Sequence, residues 1–514
     1  MKFFLAFICA ALAAWPHESI AQVLRPPRLR PVGEIRANAE RGDIGAQLAL
    51  GSMYTQGYRV TKDNAEAMKW FRMAAERGSL EAQFNVGIAY DTGTGVTLDP
   101  VEAVKWYRKA AEHGNVRGQT QLGVMYALGR GVAKDDVEAL VWIRKAVEQG
   151  HPHAQSVMGK MYANGWGVAK DSGEAAKWYQ KAADHGDADA QAALGYSYSK
   201  GEGVLKNERE AASWYRKAAE HGHAKAQVEL GILYEKGEGV TRDMGKAADW
   251  YRKAAEQGEI RGQTQLGIMY ELGRGVEKDP AEAIRRFRIA AEHGSPAAQG
   301  RLGVMYAAGQ GVPKSETEAI EWFRKAANQG DPDSEFNLGV AYSAGRGVPT
   351  DENQAALWFR KAADHGQIEA EAQLGALYAT GHGVEKDDLK AVMWLRKAAE
   401  SGNSTAQLNL GIVYGTGQGV AKDDAEAANW FRKAAERGET SAQYYLGWRY
   451  STGTGVPKNS TEAYKWLTIA GAQGNSAARE LSEKIKPTLS EVEISEAQRE
   501  ARVYVGEGTS RTAE

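Results

Sequence analysis

The chain has 514 residues, with 64 Lys and Arg against 66 Asp and Glu, so its formal net charge is −2. This balance leaves no basic footprint for nucleic acid, and no nucleic-acid partner is predicted. Hydrophobic residues make up 43% and charged residues 25%, which excludes a disordered or collagen-like chain. The length suits several compact domains or one extended array.

The N-terminus has the pattern of an export signal. A positive start precedes an apolar run too short to span a bilayer, and small residues lead up to Ala21. We predict a signal peptide over residues 1–21, cut after Ala21; a buried helix or an uncleaved anchor is the alternative. The only cysteine, Cys9, lies in this segment, so the mature chain forms no disulfide. The predicted location is periplasmic or secreted, with no membrane span after cleavage.

A repeat of 36 residues dominates the rest of the chain. One glycine recurs every 36 residues, and in every repeat Tyr follows it three residues later and Val nine residues later. Trp follows after nineteen residues in eleven of the twelve repeats, and Arg286 is the exception. Residues 43–474 therefore form twelve repeats without an insertion, and a fixed period of this length is typical of a solenoid. The fixed glycines are Gly51, Gly87, Gly123, Gly159, Gly195, Gly231, Gly267, Gly303, Gly339, Gly375, Gly411 and Gly447.

Each repeat is predicted to contain two helices joined by a Gly-x-Gly-Val loop. In the first helix Ala190, Leu194 and Tyr198 share one face, and the fixed glycine would let a neighbouring backbone come close. Asp, Asn or Ser stands twelve residues after the glycine, usually with Glu or Gln three residues further on, which predicts a reciprocal capping box. Helices this short are marginal alone, so neighbouring repeats must supply the core. The predicted fold class is all-α, an α-solenoid of twelve helix-turn-helix repeats.

These residues resemble the Sel1-like repeat, a relative of the tetratricopeptide repeat. The shared phrase is A-Q-x-x-L-G-x-x-Y-x-x-G-x-G-V, followed by D-x-x-E-A-x-x-W-Y-R-K-A-A-x-x-G, over residues 43–474. Arg59 replaces a loop glycine, Arg286 replaces Trp beside Phe287, and Glu335 and Glu371 replace Gln. The resemblance implies an exported bacterial scaffold or adaptor. It also links a cysteine-rich branch to β-lactam hydrolysis, an implication that the missing cysteines weaken.

The two ends of the array differ from the repeats. Residues 22–42 are predicted as a Pro- and Arg-rich leader and a half-cap, because residues 34–42 match the end of a second helix. Residues 475–505 are predicted as a helical C-terminal cap, with a capping box at Ser490 and a polar helix to about Tyr504. Residues 506–514 are predicted as a disordered tail.

A partner surface is predicted on the first helices, opposite their fixed stripe. The residue after the fixed glycine is mostly apolar, and amides recur two residues before it; such amides can pair with an extended peptide backbone. We therefore predict a protein or extended peptide as partner, bound in the concave groove that a tetratricopeptide-like array would form. The alternative is that the aliphatic residues only pack helix against helix. The predicted residues are Asn85, Ile88, Gln121, Tyr196, Gln265, Asn337, Gln373 and Asn409.

The twelfth repeat departs most from the others. Tyr444, Tyr445, Trp448 and Arg449 fall together on its first helix, and aromatic and Arg side chains are the usual hot spots of interfaces. A second binding region is therefore predicted there, with contact to the terminal cap as the alternative.

No catalytic, cofactor-binding or metal-binding residue is predicted, and the chain is predicted not to be an enzyme. Asp135 and Asp136 are interpreted as cap residues. Five histidines near the ends of second helices are about one helix spacing apart, too far to share a metal ion. Closer pairs, such as His151 with His153, remain an alternative. The five histidines themselves would most simply interact with the C-terminal ends of their helices. These five histidines are His113, His185, His221, His293 and His365.

The predicted function is an exported scaffold; a β-lactam or cell-wall hydrolase and a cell-wall glycan-binding protein stay open as alternatives.

Overall fold

The computed structural model describes residues 31–511, with side chains as far as Tyr504. The predicted signal peptide lies outside the described residues, as does most of the predicted leader. Within residues 31–511 the chain forms 27 α-helices and no strand. Helix α1 spans Val32–Glu40. The first helices of the twelve repeats span Ile44–Gln56 (α2), Leu80–Thr92 (α4), Val116–Leu128 (α6), Pro152–Asn164 (α8), Ala188–Lys200 (α10), Ala224–Lys236 (α12), Ile260–Leu272 (α14), Pro296–Ala308 (α16), Pro332–Ala344 (α18), Ile368–Thr380 (α20), Ser404–Thr416 (α22) and Thr440–Thr452 (α24).

The second helices alternate with the first ones along the chain. They span Asn64–Glu76 (α3), Pro100–Glu112 (α5), Asp136–Glu148 (α7), Ser172–Asp184 (α9), Glu208–Glu220 (α11), Met244–Glu256 (α13), Pro280–Glu292 (α15), Glu316–Ala327 (α17), Glu352–Asp364 (α19), Asp388–Glu400 (α21), Asp424–Glu436 (α23) and Ser460–Ala472 (α25). Three further elements close the chain: Ser476–Ile485 (α26), a 3-10 turn over Lys486–Thr488, and Glu491–Arg511 (α27).

The described chain divides into two compact bodies. The N-terminal body comprises residues 31–262 and 274–276, and the C-terminal body comprises residues 263–273 and 277–511. Within each body, a first helix packs on the second helix of its own repeat, and that second helix packs on the next first helix. This succession confirms the predicted α-solenoid of helix-turn-helix repeats.

The cap of every second helix combines a side-chain bond with a bond to the fixed tyrosine. In repeat 3 the carboxylate of Asp135 accepts from the backbone N–H groups of Val137 and Glu138, as predicted. The reciprocal half of the predicted capping box is wrong, because the backbone N–H of Asp135 donates to the carbonyl of Tyr126 at 3.0 Å. The glutamate is thereby free for other partners, and Glu138 accepts from the indole N–H of Trp142 at 2.8 Å. The same cap-to-tyrosine backbone bond closes the loop of all twelve repeats.

The fixed glycine makes room for a side chain, not for a backbone as predicted. A Cβ atom on Gly231 would lie 2.4 Å from the ring of Tyr251, the residue twenty positions later, which is fully buried. Phe287 fills the same niche beside Gly267. Phe287 is therefore the ordinary niche residue of its repeat and no substitute for the missing Trp. Arg286 instead forms an ion pair with Glu282, with 2.6 Å between Nε and Oε1.

Two recurring side-chain bonds join many of the second helices to the next first helix. A buried glutamine four residues before the fixed glycine donates through Nε2 to the carbonyl eight residues earlier, as Gln227 does to Ala219 at 3.1 Å. An arginine of the second helix also donates to the hydroxyl of the next fixed tyrosine, as Arg288 does to Tyr306 at 3.0 Å. Helix α1 takes part in both bonds and so acts as a second helix.

In repeats 9 and 10 a buried glutamate replaces this glutamine. Glu335 is 2% exposed and pairs with Nδ1 of His365 at 2.7 Å. In repeat 5 the glutamine at this position, Gln191, accepts from His221 at 2.9 Å and also donates to the carbonyl of Ala183 at 3.2 Å. An ionised glutamate has no proton for the second bond, and its burial carries a desolvation cost.

Substituting Glu335→Gln should therefore stabilise the protein. The amide would keep the histidine bond and regain a donor to the preceding helix, which should raise the free energy of unfolding by about 1 kcal/mol. Urea denaturation of the two proteins measures the difference. The reverse substitution, Gln191→Glu, is the matched control and should destabilise by a similar amount. A lower midpoint for Glu335→Gln would contradict the argument.

The C-terminal helix is longer than predicted. Ser490 and Glu493 form the predicted capping box with both reciprocal bonds, at 2.8 Å and 3.3 Å. The helix then continues to Arg511 instead of ending at about Tyr504. No proline interrupts this stretch, and a glycine weakens a helix by only about 1 kcal/mol.

Candidate partner-binding surface

The residue after the fixed glycine is accessible in every repeat. None of these twelve side chains is buried, whereas the fixed glycine and the residue before it are buried in all twelve repeats. Burial on one side and exposure on the other place these residues on the outer surface of the first helices. We call them the accessible stripe, which consists of Ser52, Ile88, Val124, Lys160, Tyr196, Ile232, Ile268, Val304, Val340, Ala376, Ile412 and Trp448.

Part of the accessible stripe also contributes to the core. Ile88, Val124, Val340 and Ile412 are partly buried against the hydrophobic clusters of their repeats. Packing therefore explains some of the aliphatic character of the stripe. It does not explain Tyr196 at 47% exposure or Val304 at 41%.

The six predicted amides lie beside the stripe with their polar groups unused. Five are half-buried and Gln373 is exposed. Within the described part of the chain none of the six makes a side-chain hydrogen bond. Each carries donor and acceptor groups, so these amides can bind a backbone. They are Asn85, Gln121, Gln265, Asn337, Gln373 and Asn409.

An ion cluster interrupts the apolar stripe in the N-terminal body. Lys160 replaces the aliphatic residue in repeat 4, and its ammonium lies 2.8 Å from Asp189. The second oxygen of Asp189 lies 3.5 Å from Nε2 of His223. Burial raises the pKa of Asp189, but Lys160 and His223 outweigh it and hold the pKa well below its usual range. This carboxylate is therefore charged and fully engaged, so the apolar part of the stripe is divided at repeat 4.

The aromatic cluster of repeat 12 is divided between cap and surface. Tyr444 packs on the terminal cluster that includes Leu481 of α26, which agrees with the cap alternative. Tyr445 stacks on Phe431, with 5.1 Å between ring centroids, and remains 36% exposed. Trp448 is 37% exposed. Of the four, Tyr445 and Trp448 are the aromatic residues that a partner can reach.

Arg449 was wrongly predicted as a contact residue. It is 5% exposed, and its Nη1 donates to the carbonyl and to the carboxylate of Asp424, both at 3.1 Å. It also donates to the carbonyl of Thr454 at 3.3 Å. Its position, two residues after the fixed glycine, is buried in most repeats, so this arginine joins two repeats instead of facing a partner.

The histidines serve the helix ends in two ways. In His113, His185 and His293, Nδ1 lies 2.8 Å from the carbonyl four residues earlier, which agrees with the predicted C-terminal role. His221 and His365 instead reach the buried Gln191 and Glu335. The imidazole rings of His151 and His153 lie edge to face, 6.4 Å apart.

Sequence reasoning missed a group of exposed aliphatic residues on second helices. Leu357 is 43% exposed, Leu389 is 73% exposed and Met393 is 54% exposed. Most repeats carry polar or small residues at these positions, and that contrast between repeats is the signal that could have found them.

The repeated helix pairs, the caps and the buried bonds between repeats define a helix-turn-helix repeat protein of the α-solenoid class. The Sel1 repeat model matches twelve times, at residues 44–79, 80–115, 116–151, 152–187, 188–223, 224–259, 260–295, 296–331, 332–367, 368–403, 404–439 and 440–475. The chain belongs to the Sel1 repeat family, whose members act as protein-interaction scaffolds.

Several solved bacterial structures are similar to this chain. Protein c5321, a protective antigen present in uropathogenic Escherichia coli strains, is 36% identical with a TM-score of 0.66, over 93% of this chain and 95% of that chain. A Sel1 repeat protein from Oxalobacter formigenes is 34% identical with a TM-score of 0.48, over 61% and 94%. Helicobacter pylori cysteine rich protein B is 29% identical with a TM-score of 0.22, over 26% and 96%. No curated protein matches the chain significantly.

A helix that crosses a bilayer must be both long and apolar. Within residues 31–511 none of the helices joins sufficient length to sufficient apolar character for crossing a bilayer.

Proposed function

We propose that the protein is an exported scaffold of the bacterial cell envelope or of the host interface, and that it binds an extended segment of a protein along the accessible stripe. The observation that carries this proposal is a stripe that is at least partly accessible in all twelve repeats, beside six amides whose side chains make no hydrogen bond within the described residues. Export rests on the N-terminal sequence, with its short apolar run and its small residues up to Ala21.

The chemistry of the surface favours a peptide backbone as ligand. A peptide in extended conformation presents alternating N–H and C=O groups, and each amide can pair with both. Side chains of the same peptide would lie against aliphatic residues such as Ile268 and Val304. Phosphate backbones require cationic side chains, whereas these columns are mostly neutral.

Isosteric changes to the amides test this function. The triple variant Asn337→Asp, Gln373→Glu and Asn409→Asp replaces donors with acceptors at unchanged size, so it should leave the fold intact. We expect affinity for the partner to fall at least about ten-fold, since three hydrogen bonds to the ligand would be lost and each is worth about 1 kcal/mol.

The experiment begins with affinity capture by the mature chain from envelope extracts and identification of the retained protein. Calorimetry then measures binding of the purified partner to the wild type, to the triple variant and to the control Asn353→Asp on α19. Equal affinities for wild type and triple variant would show that the stripe is not the binding surface. Retention of purified peptidoglycan in place of a protein would favour glycan binding.

A further inference from the structure

The C-terminal helix shows that the outward face of a second helix can hold another helix. Helix α27 packs on α25, where Glu500 pairs with Lys465 at 3.1 Å and Gln498 donates to the hydroxyl of Tyr464 at 3.2 Å. Ala497 and Ala501 are buried in this contact. The side chain of Lys465 is 17% exposed, against 61–71% for the lysines of other repeats at this position, namely Lys69, Lys105 and Lys177.

The end of this contact has a defined hydrogen bond. The hydroxyl of Tyr504 donates to the carbonyl of Ala435 at the end of α23, at 2.6 Å. The same carbonyl accepts from Gln443 at 3.3 Å. The ring of Tyr504 also meets Trp466 edge to face, with 5.5 Å between centroids. Helix α27 thus lies on α25 and reaches back to α23.

Two repeats earlier, 72 residues back along the chain, the equivalent face is exposed and apolar. Met393 on α21 stands at the position of Lys465 and is 54% exposed. Leu389, one turn before it, is 73% exposed, and Leu357 on the preceding helix α19 is 43% exposed. We call Leu357, Leu389 and Met393 the aliphatic patch. In the contact of α27 with α25 a glutamate pairs with a lysine. A helix bound to the aliphatic patch would instead need aliphatic side chains at the equivalent position.

The polar end of the same site is also incomplete. Glu371 stands at the position of Gln443, and an ionised glutamate cannot donate to the carbonyl of Ala363. One carboxylate oxygen of Glu371, Oε2, is buried and has no hydrogen-bond partner within the described residues. A donor at the position of the Tyr504 hydroxyl would take the place of the bond that Glu371 cannot make to the carbonyl of Ala363.

The lysine beside this end lies farther from its tryptophan ring than the equivalent lysines of eight other repeats do. Lys397 pairs with Glu371 at 2.7 Å, and its ammonium lies 5.0 Å from the centroid of the Trp394 ring. The corresponding distance is 3.7–4.2 Å in the eight other repeats with this lysine–tryptophan pair. The ammonium of Lys397 is thus displaced from the Trp394 ring, at the position where Trp466 meets Tyr504.

We propose that α19 and α21 form a second docking surface, which binds an amphipathic α-helix of a partner protein in the pose that α27 adopts on α23 and α25. The bound helix carries aliphatic residues toward the aliphatic patch and a tyrosine toward Ala363 and Trp394. This surface is on second helices and is separate from the accessible stripe, so the scaffold holds two ligands of different conformation.

A peptide derived from α27 tests the proposal. The probe is a fluorescein-labelled peptide of residues 490–511 with Gln498→Leu and Glu500→Leu, which converts the polar contacts into aliphatic ones. In fluorescence anisotropy with the full mature chain, we expect it to bind at least ten times more tightly than the unmodified peptide. A probe that also carries Tyr504→Phe should bind several-fold more weakly, because the hydroxyl donor is lost.

Variants of the protein locate the bound peptide. The double variant Leu389→Lys and Met393→Lys should lower affinity at least ten-fold, whereas the control Leu205→Lys, which alters another exposed leucine, should not change it. Because these side chains are exposed, melting temperatures should stay unchanged. No binding at millimolar peptide, or equal binding by wild type and double variant, would overturn the proposal. A dimer of the free protein that the double variant dissociates would assign the patch to a second copy instead.

Discussion

Substituting Gly239→Ala should be among the most destabilising single changes in the molecule. Gly239 is the second glycine of its loop, with φ of +68°, and a Cβ atom there would lie 2.0 Å from the backbone carbonyl oxygen of Glu208. That carbonyl belongs to the first turn of α11 in the preceding repeat and cannot rotate away. We expect the free energy of unfolding to fall by about 4 kcal/mol, because the backbone must move to relieve the clash and alanine is also strained at a positive φ.

A second glycine with a similar φ but no close neighbour distinguishes the effect of the steric clash from that of backbone strain. Gly222 has φ of +84°, and a Cβ atom there would meet nothing within 4 Å. Gly222→Ala should therefore cost about 1 kcal/mol, the penalty of the left-handed conformation alone. Urea denaturation gives the two values, and hydrogen exchange should show faster opening of α11 and α12 in Gly239→Ala. If both variants lost the same free energy of unfolding, the close contact between neighbouring repeats would not be the reason for glycine at this loop position.

The chain contains a natural test of this explanation. Arg59 occupies the loop position of Gly239 in the first repeat, with φ of +61°, and it is the one residue other than glycine with positive φ in the described range. Among the described residues no full-length second helix precedes it, because α1 spans only Val32–Glu40. The sequence showed Arg59 as an irregularity, and the packing of repeats explains why only the first repeat accepts it.

The periodicity of the sequence was sufficient to predict the fold, but it did not distinguish the reasons for each recurring residue. A buried glycine beside an aromatic ring and a glycine in a tight turn both recur every 36 residues. Only coordinates show that Gly231 faces Tyr251, whereas Gly239 faces a carbonyl. The capping residues were predictable because their bonds are local. The partner of the Asp135 N–H was not, because it lies nine residues back across a loop.

The candidate site was predictable only in part, for a related reason. Exposure of the accessible stripe follows from helical periodicity, since each position has a fixed direction relative to the buried face. Arg449 could not be placed from its residue type, because its acceptors lie on two other segments, at Asp424 and Thr454, which only the fold brings together. The aliphatic patch could not be predicted from the periodicity, because its residues depart from the repeat pattern and occur in single repeats.

Stability should depend on pH in the region of His151. This residue caps α8: Nδ1 accepts from the backbone N–H of Ala154 at 3.3 Å, so the ring serves as a cap only while that nitrogen is unprotonated. Burial lowers the pKa of His151 from 6.5 to about 4, and the nearby charges of His153 and Arg117 act in the same direction. The folded state therefore resists a proton that the unfolded state accepts.

The sign of the effect follows from these two pKa values. Above pH 6.5 both states are neutral at His151 and the full stability is present. As the pH falls toward 4 the unfolded state binds more protons, so the free energy of unfolding decreases. The full pKa difference corresponds to about 3 kcal/mol of unfolding free energy. Because solvent screens this half-buried ring, we expect a decrease of about 2 kcal/mol.

Replacing His151→Asn should remove this pH dependence while keeping the cap. Asparagine caps equivalent first helices at Asn115 and Asn403, so the variant retains an acceptor that does not titrate in this range. Hydrogen exchange of the α8 amides between pH 7 and pH 4.5, corrected for intrinsic rates, should show destabilisation in the wild type and in the exposed control His185→Asn, but not in His151→Asn. If all three proteins lose stability equally as the pH falls, the titrating group lies elsewhere. If the stability of α8 is independent of pH only in His151→Asn, protonation of this one cap must loosen the junction between repeats 3 and 4.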